Sequence, residues 1–241
     1  MTPPSWPQFS PAELEAAAAR LRGHLVACPV VGDLCLPGFA PAETMRLKLE
    51  LLQPGGSLWY RGAQHWLMRQ FGRRKGLVLH GSPRQMAAWV AAARGQRMPV
   101  VARVGEGQET ECRGLLGGFA VELLASERSP AAIAGYASTP DAADVDVALG
   151  VASLALELRD ELPSDTRALV VCPALLAPAV AAGVAALGLT WQVDPAPPAH
   201  PEAARLARVL RDHHRIDADE HGGAAVAAGL GRDGVCVVLG E

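Results

Sequence analysis

The sequence predicts an α/β protein built on parallel sheet. Short apolar segments alternate with helix-length amphipathic ones, and several of the apolar segments read as strands covered on both faces. Half of the 241 residues are hydrophobic and 20% are charged, enough to bury a sizeable core.

The elements follow in order. Ser10 with Glu13 three residues later forms a capping box, opening a helix that runs to Arg22 with Gly23 as its stop. Met45–Leu51 alternates apolar and polar residues and predicts a strand, and Gln53–Ser57 (QPGGS) predicts a turn. Arg61–Phe71 predicts a helix ended by Gly72, Gly76–Leu79 a short strand, Arg84–Arg94 an alanine-rich helix and Pro99–Val104 a valine-rich strand. Glu109–Gly117 reads as a helix and Ala120–Leu124 as a strand. The pattern lapses over Ser129–Asp144, which predicts a loop. It resumes with a helix at Val147–Arg159, a strand at Ala168–Val171, a helix at Val180–Leu187 and a strand near Thr190–Val193. A proline-rich connection, Asp194–Pro201, leads to helices at Glu202–His213 and Gly223–Leu230 and a terminal strand at Val235–Leu239.

Composition removes several classes of function. A formal net charge of -3 with 5% aromatics argues against a nucleic-acid partner. Ala168–Trp191 carries no charge and is long enough to cross a bilayer. Pro173 and Pro178 interrupt it, however, so a strand, a loop and a buried helix account for it better and no membrane partner is expected. The first eleven residues lack a basic segment followed by an apolar one, so a cytoplasmic protein without a secretory leader is expected. Cys28, Cys35, Cys112, Cys172 and Cys236 are odd in number and widely spaced, which fits reduced thiols.

Leu47–Ala63 (LKLELLQPGGSLWYRGA) is more specific. It resembles the cofactor-lysine segment of fold-type II pyridoxal-phosphate enzymes of the threonine dehydratase and serine racemase group. Their pattern, Lys-x-Glu, Gln-Pro-Thr-Gly-Ser-Phe-Lys, x-Arg-Gly-Ala, is matched at Lys48, Glu50, Gln53, Pro54, Gly56, Ser57, Arg61, Gly62 and Ala63. Gly76–Pro99, Glu111–Leu124, Val147–Glu157, Glu220–Ala225 and Val237–Gly240 are similar to later segments of the family in the same order. The resemblance implies a two-lobed, tryptophan synthase beta-like α/β fold with parallel-rich sheets. Residues 1–70 and 139–241 would form the larger lobe and 71–138 the smaller. Relative to the family the chain looks trimmed between Ser126 and Val147, where a helix and a strand are expected to be missing, and between Trp191 and Glu220.

The family's chemistry needs a lysine amine to form a Schiff base with the cofactor. The resemblance puts Trp59 at that position. The two lysines of the chain are Lys48, at the family's separate strand lysine, and Lys75, which reads as solvated beside Arg73 and Arg74. The family's glycine-rich phosphate loop corresponds to Pro173–Ala182 (PALLAPAVAA), where Leu175 and Leu176 would crowd a phosphate. Ser82 falls at the family's ring-contacting asparagine, and Gly240 at or near its ring-nitrogen serine. These departures imply a pseudoenzyme with no cofactor expected, pyridoxal phosphate entering only if the site has been rebuilt. Such a protein would be retained to bind a small amino-acid-like or anionic ligand or a protein partner, as a homodimer or a heteromer.

A second reading makes Ser57, Arg61, His80 and Arg84 a rebuilt, cofactor-independent acid/base site for a lyase or isomerase acting on an amino-acid-like substrate. Against it, Arg61 is expected to pair structurally and Arg84 to face solvent. Asp212–His221 offers His213, His214 and His221 with Asp217 and Asp219, but lacks two histidines at i and i+4 around a glutamate. A polar helix end is expected there, and no metal. Trp59, Trp66 and Trp89 are expected to fill the emptied cofactor space and pack helices.

Overall fold

The strands sort into two sheets, one from the middle of the chain and one from both ends. A computed structural model describes residues 6–32, 34, 36–39, 45–70, 72–119, 121–125, 133–162, 169–232 and 234–240. The four-stranded sheet is wholly parallel, in the order β5-β4-β3-β6, from β3 (Gly76–Leu79), β4 (Val100–Val104), β5 (Val121–Ala125) and β6 (Tyr136–Ser138). The five-stranded sheet has the order β1-β2-β9-β7-β8 and comprises β1 (Val30–Val31), β2 (Arg46–Lys48), β7 (Leu169–Cys172), β8 (Gln192–Pro195) and β9 (Val235–Val238). Its pairs are parallel except for the two-residue β1 against β2. β3 and β9 are buried along their whole length, as strands covered on both faces should be.

The helices start where the sequence supplies a cap. The Ser10 side chain accepts from the Glu13 amide while Glu13 accepts from the Ser10 amide, opening α1 (Pro11–Leu21). The Ser82 hydroxyl caps α3 (Pro83–Gly95), accepting from the Gln85 amide. Asp144 caps α5 (Val145–Ala152), and Asp219 caps α9 (Glu220–Gly229). α2 (Trp59–Gln70), α4 (Glu109–Leu116), α6 (Leu154–Glu161), α7 (Ala177–Ala186) and α8 (Ala203–His214) complete the set.

Several expectations are corrected. The strand expected over Met45–Leu51 ends at Lys48 and becomes a 3-10 turn at Glu50–Leu52, which turns the Glu50 carboxylate into the interior. The single helix expected over Val147–Arg159 divides into α5 and α6 at Ser153, whose hydroxyl donates to the Gly150 carbonyl. The loop expected over Ser129–Asp144 holds β6, so a strand expected to be missing from that span is present. Residues 126–132, which include the start of that span, Ala168 at the expected strand start, and Cys35 lie outside the described residues. Cys28, Cys112, Cys172 and Cys236 are free and buried. The chain after residue 168 forms β7, a loop and α7, and no helix among the described residues is long and apolar enough to cross a membrane.

One hydrophobic core holds side chains from both sheets, including Leu77, Leu79 and Ala102 from one and Val170, Cys172 and Val238 from the other. Helices α2, α3 and α5 supply much of what lies between. Trp66 and Trp89 meet edge to face there, centroids 5.5 Å apart. They pack helices, and neither is among the described residues that line the pocket described below.

Candidate functional site

Parallel sheets present ligand sites beyond the carboxyl ends of their strands. In the five-stranded sheet a pocket of about 210 Å³ lies there, lined by the residues that follow β7 (Pro173, Leu175), β8 (Pro197, Pro198) and β9 (Gly240). Trp59, the first residue of α2, forms another wall. Its place is set by the QPGGS turn. The Ser57 hydroxyl accepts from the Trp59 amide at 3.1 Å, and the Leu58 amide donates to the Gly240 carbonyl at 3.0 Å. Gly55 sits at φ 83° against α3, and a Cβ there would come within 2.7 Å of the Ala88 backbone. His221, in the first turn of α9, is the one titratable side chain among the described lining residues.

The two leucines part company. Leu176 is fully buried in the core, while Leu175 is 63% exposed at the pocket wall. Crowding of the pocket by both leucines is therefore corrected to a contact by Leu175 alone. At the start of α7 the amides of Leu176 and Ala177 donate to the Pro173 carbonyl, and those of Ala179 and Val180 donate to Leu176. Pro178 has no amide to give.

The four residues of the rebuilt acid/base reading are not brought together. Arg61 is 1% exposed. Its guanidinium donates to both Glu50 oxygens at 2.7 and 2.8 Å and to both Glu157 oxygens at 2.8 Å. Every face it could offer a ligand is taken, so its place among the ligand-binding candidates is corrected. Ser57 is buried beneath the start of α2. His80 is exposed past the end of β3, with Nδ1 3.4 Å from the Thr139 hydroxyl. Arg84, on α3, pairs with Asp219 at the cap of α9 rather than facing solvent alone. Ser82 is spent capping α3.

Lys48 is fully buried beside Arg61. Its amine donates to the Cys28 carbonyl at 2.7 Å and to Glu161 at 2.8 Å, and pairs with Glu157 at 3.0 Å. Burial alone would lower this amine's pKa, but Glu161 and Glu157 outweigh burial and hold it above the ordinary lysine value. It is charged and locked. Lys75 is exposed at the foot of β3. His213 and His214 end α8 while His221 begins α9, and no three His, Cys, Asp or Glu among the described residues are grouped to hold a metal. Sequence reasoning passed over Pro197, Pro198 and His221 as pocket walls. Proline immediately after the carboxyl end of a parallel strand was the available signal.

No family profile matches the chain, and no curated protein matches it in sequence. Solved structures do. A pyridoxal 5'-phosphate-dependent aspartate racemase superposes with a TM-score of 0.76 at 18% identity, over 97% of this chain and 96% of its own. The serine racemase of Dictyostelium discoideum gives 0.74 at 14% identity, over 97% of each chain. A threonine deaminase from T.th. gives 0.73 at 18%, over 97% of this chain and 98% of its own. The fold is that of fold-type II pyridoxal-phosphate enzymes.

The expectation of no cofactor is corrected by this comparison, since the solved structures that share the fold are pyridoxal-phosphate enzymes. The lining residues do not fit that group in a covalently anchored form. No lysine lines the pocket, Lys48 is engaged elsewhere, and the first-turn amides of α7 are satisfied within the chain.

Proposed function

We propose that the chain is a threonine dehydratase-like pseudoenzyme, with Trp59 standing where its relatives carry the Schiff-base lysine, and that it is kept for binding a small ligand in the pocket beyond β7, β8 and β9. The observation that supports this most is the wall made by Trp59 in a pocket lined by no lysine. An indole has no nucleophilic amine, and amine chemistry on a carbonyl carbon needs one. The charged, triply engaged Lys48 does not supply a substitute.

Purified protein mixed with pyridoxal phosphate, reduced with borohydride and mapped by mass spectrometry is expected to carry no stoichiometric adduct on Lys48. Turnover of serine, threonine or aspartate is expected to stay at the buffer rate with the cofactor present. A stoichiometric Lys48 adduct, or racemase or dehydratase turnover, would overturn the reading. A homodimer or heteromer is part of the proposal, and light scattering of the purified chain tests the first of these.

A further inference from the structure

Charge is spread unevenly along the chain. No aspartate or glutamate occurs between Glu50 and Glu106, a span with nine arginines and lysines in a chain of net charge -3. The parallel sheet collects most of these cations at one end. Arg73, Arg74 and Lys75 lead into β3, Arg94 lies in the last turn of α3, Arg97 precedes β4, and Arg113 lies in the last turn of α4, before β5. Because β3, β4 and β5 run parallel, all six stand at the amino ends of their strands. That end is away from the pocket: α3 rises from Arg84, paired with Asp219 at the cap of α9, to Arg94 about 15 Å further on. All six are exposed, and among the described residues none forms an ion pair with a carboxylate. Cations at helix carboxyl ends complement the helix dipole, which accounts for Arg94 and Arg113. It does not account for the run before β3, or for Arg97, which keeps φ 54° where the left-handed backbone favours glycine.

Arg94 and Arg97 line a groove of about 640 Å³ at this end. Its other solvent-reached walls include Met98, Pro99, Phe119 and Val121, each exposed or half-buried. The groove therefore joins apolar surface to unpaired positive charge. Neighbouring strands lie about 4.8 Å apart, so the rim from β3 to β5 spans roughly 10 Å, which an extended peptide covers in about three residues. We propose that this rim docks an acidic segment of a partner protein, laid extended across the strand ends, with its carboxylates on the arginines and one apolar side chain in the groove. An arginine fork suits a carboxylate in two-pronged hydrogen bonds. A nucleic-acid backbone would use the cations but leave the apolar walls without a partner. The Arg94 guanidinium, 5.6 Å from the Phe119 ring centroid, already covers one face of the ring on which a base would stack.

The probe is the peptide acetyl-Glu-Glu-Leu-Glu-Glu-amide, titrated at low salt into the isotope-labelled chain and followed by backbone amide chemical shifts. Saturable shifts are expected at Arg94, Arg97, Met98 and Phe119. Glutamine in place of every glutamate of the peptide is expected to weaken binding about tenfold, and serine in place of its leucine about fivefold. Arg97→Gly suits the left-handed backbone, so it removes a charge without threatening the fold. Combined with Arg94→Gln, at an exposed side chain, it is expected to weaken the peptide about tenfold, and the amide spectrum itself reports that the variant is folded. No saturable shift at the groove, equal binding of the glutamine peptide, or unchanged binding by the double variant would each overturn the proposal. So would duplex DNA or phosphatidylserine vesicles moving the same amides at lower concentration than the peptide does, since either would assign the rim to another partner. None of these outcomes bears on the Lys48 adduct or on turnover, which test the pseudoenzyme reading.

Discussion

Arg61 matches a motif and yet is unavailable to any ligand, because two carboxylates hold it: Glu50, which is fully buried, and Glu157. Removing one partner of a buried pair leaves the other charged and unsolvated. Arg61→Met is therefore expected to cost about 3–5 kcal/mol in urea unfolding. Arg61→Lys should recover little of that, since an ammonium cannot span two carboxylates as a planar fork does. Acid should act on the same network. Burial alone would raise the Glu157 carboxyl, but hydrogen bonds and charge from Arg61, then Lys48, hold it below the ordinary value. Its contribution is present above the unfolded glutamate value of about 4.3 and is lost as pH falls through the lower folded value. His65 acts earlier. Burial lowers its pKa, with Nδ1 donating to the Asp146 carbonyl at 2.7 Å and Nε2 accepting from Arg20 at 2.9 Å. Stability should thus begin to fall below the ordinary histidine value of about 6.5 and fall faster below about 4.3. Unfolding free energies measured across pH should show both stages, with His65→Gln removing the first. The sequence marked Arg61 and Glu50 through their motif. It could not mark Glu157 as the second partner, which lies 96 residues on.

Helices α2 and α5 cross at a contact made by two glycines. A Cβ on Gly62 would come 2.8 Å from Val147 Cγ1, and one on Gly150 would come 2.6 Å from the Arg61 carbonyl and 3.0 Å from Gly62 Cα. Neither neighbour can yield without moving a helix. Gly62→Ala and Gly150→Ala are each expected to cost about 1–3 kcal/mol, with the double variant departing from the sum because both act at one contact. Chemical denaturation of the three variants checks this, and additive losses would mean the helices relax independently. At this scale the sequence was most legible where a cap or a buried run declared itself, as at Ser10 and β3. It was least legible where a tertiary partner decides. The three residues of β6 have too short a pattern to read and exist as a strand because β3 pairs with them. The alternation of Met45–Leu51 continues past Lys48, but the burial of Glu50 against Arg61 overrides it.

Both sheets contribute to one hydrophobic core, so the molecule should not come apart in stages. Tryptophan fluorescence, to which Trp66 and Trp89 between the helices contribute among five tryptophans, and far-UV circular dichroism should trace the same transition in urea. Two separated transitions would show that each sheet holds itself together. The Arg84–Asp219 pair is a further tie, from α3 to the cap of α9, although a partly exposed pair adds only about 0–1 kcal/mol. On this scale the α/β class was readable from alternation alone. The pocket was not, because its walls come from segments separated by more than a hundred residues that only the parallel sheet brings level. Those walls also suit the molecule to redesign. Among the described residues no carboxylate lines the pocket, so an amine introduced by Trp59→Lys at this buried position is expected to be desolvated and shifted toward its uncharged form. An uncharged amine attacks aldehydes, and trapping with borohydride would reveal it. A single substitution would then turn a receptacle into the starting point for a designed carbonyl catalyst.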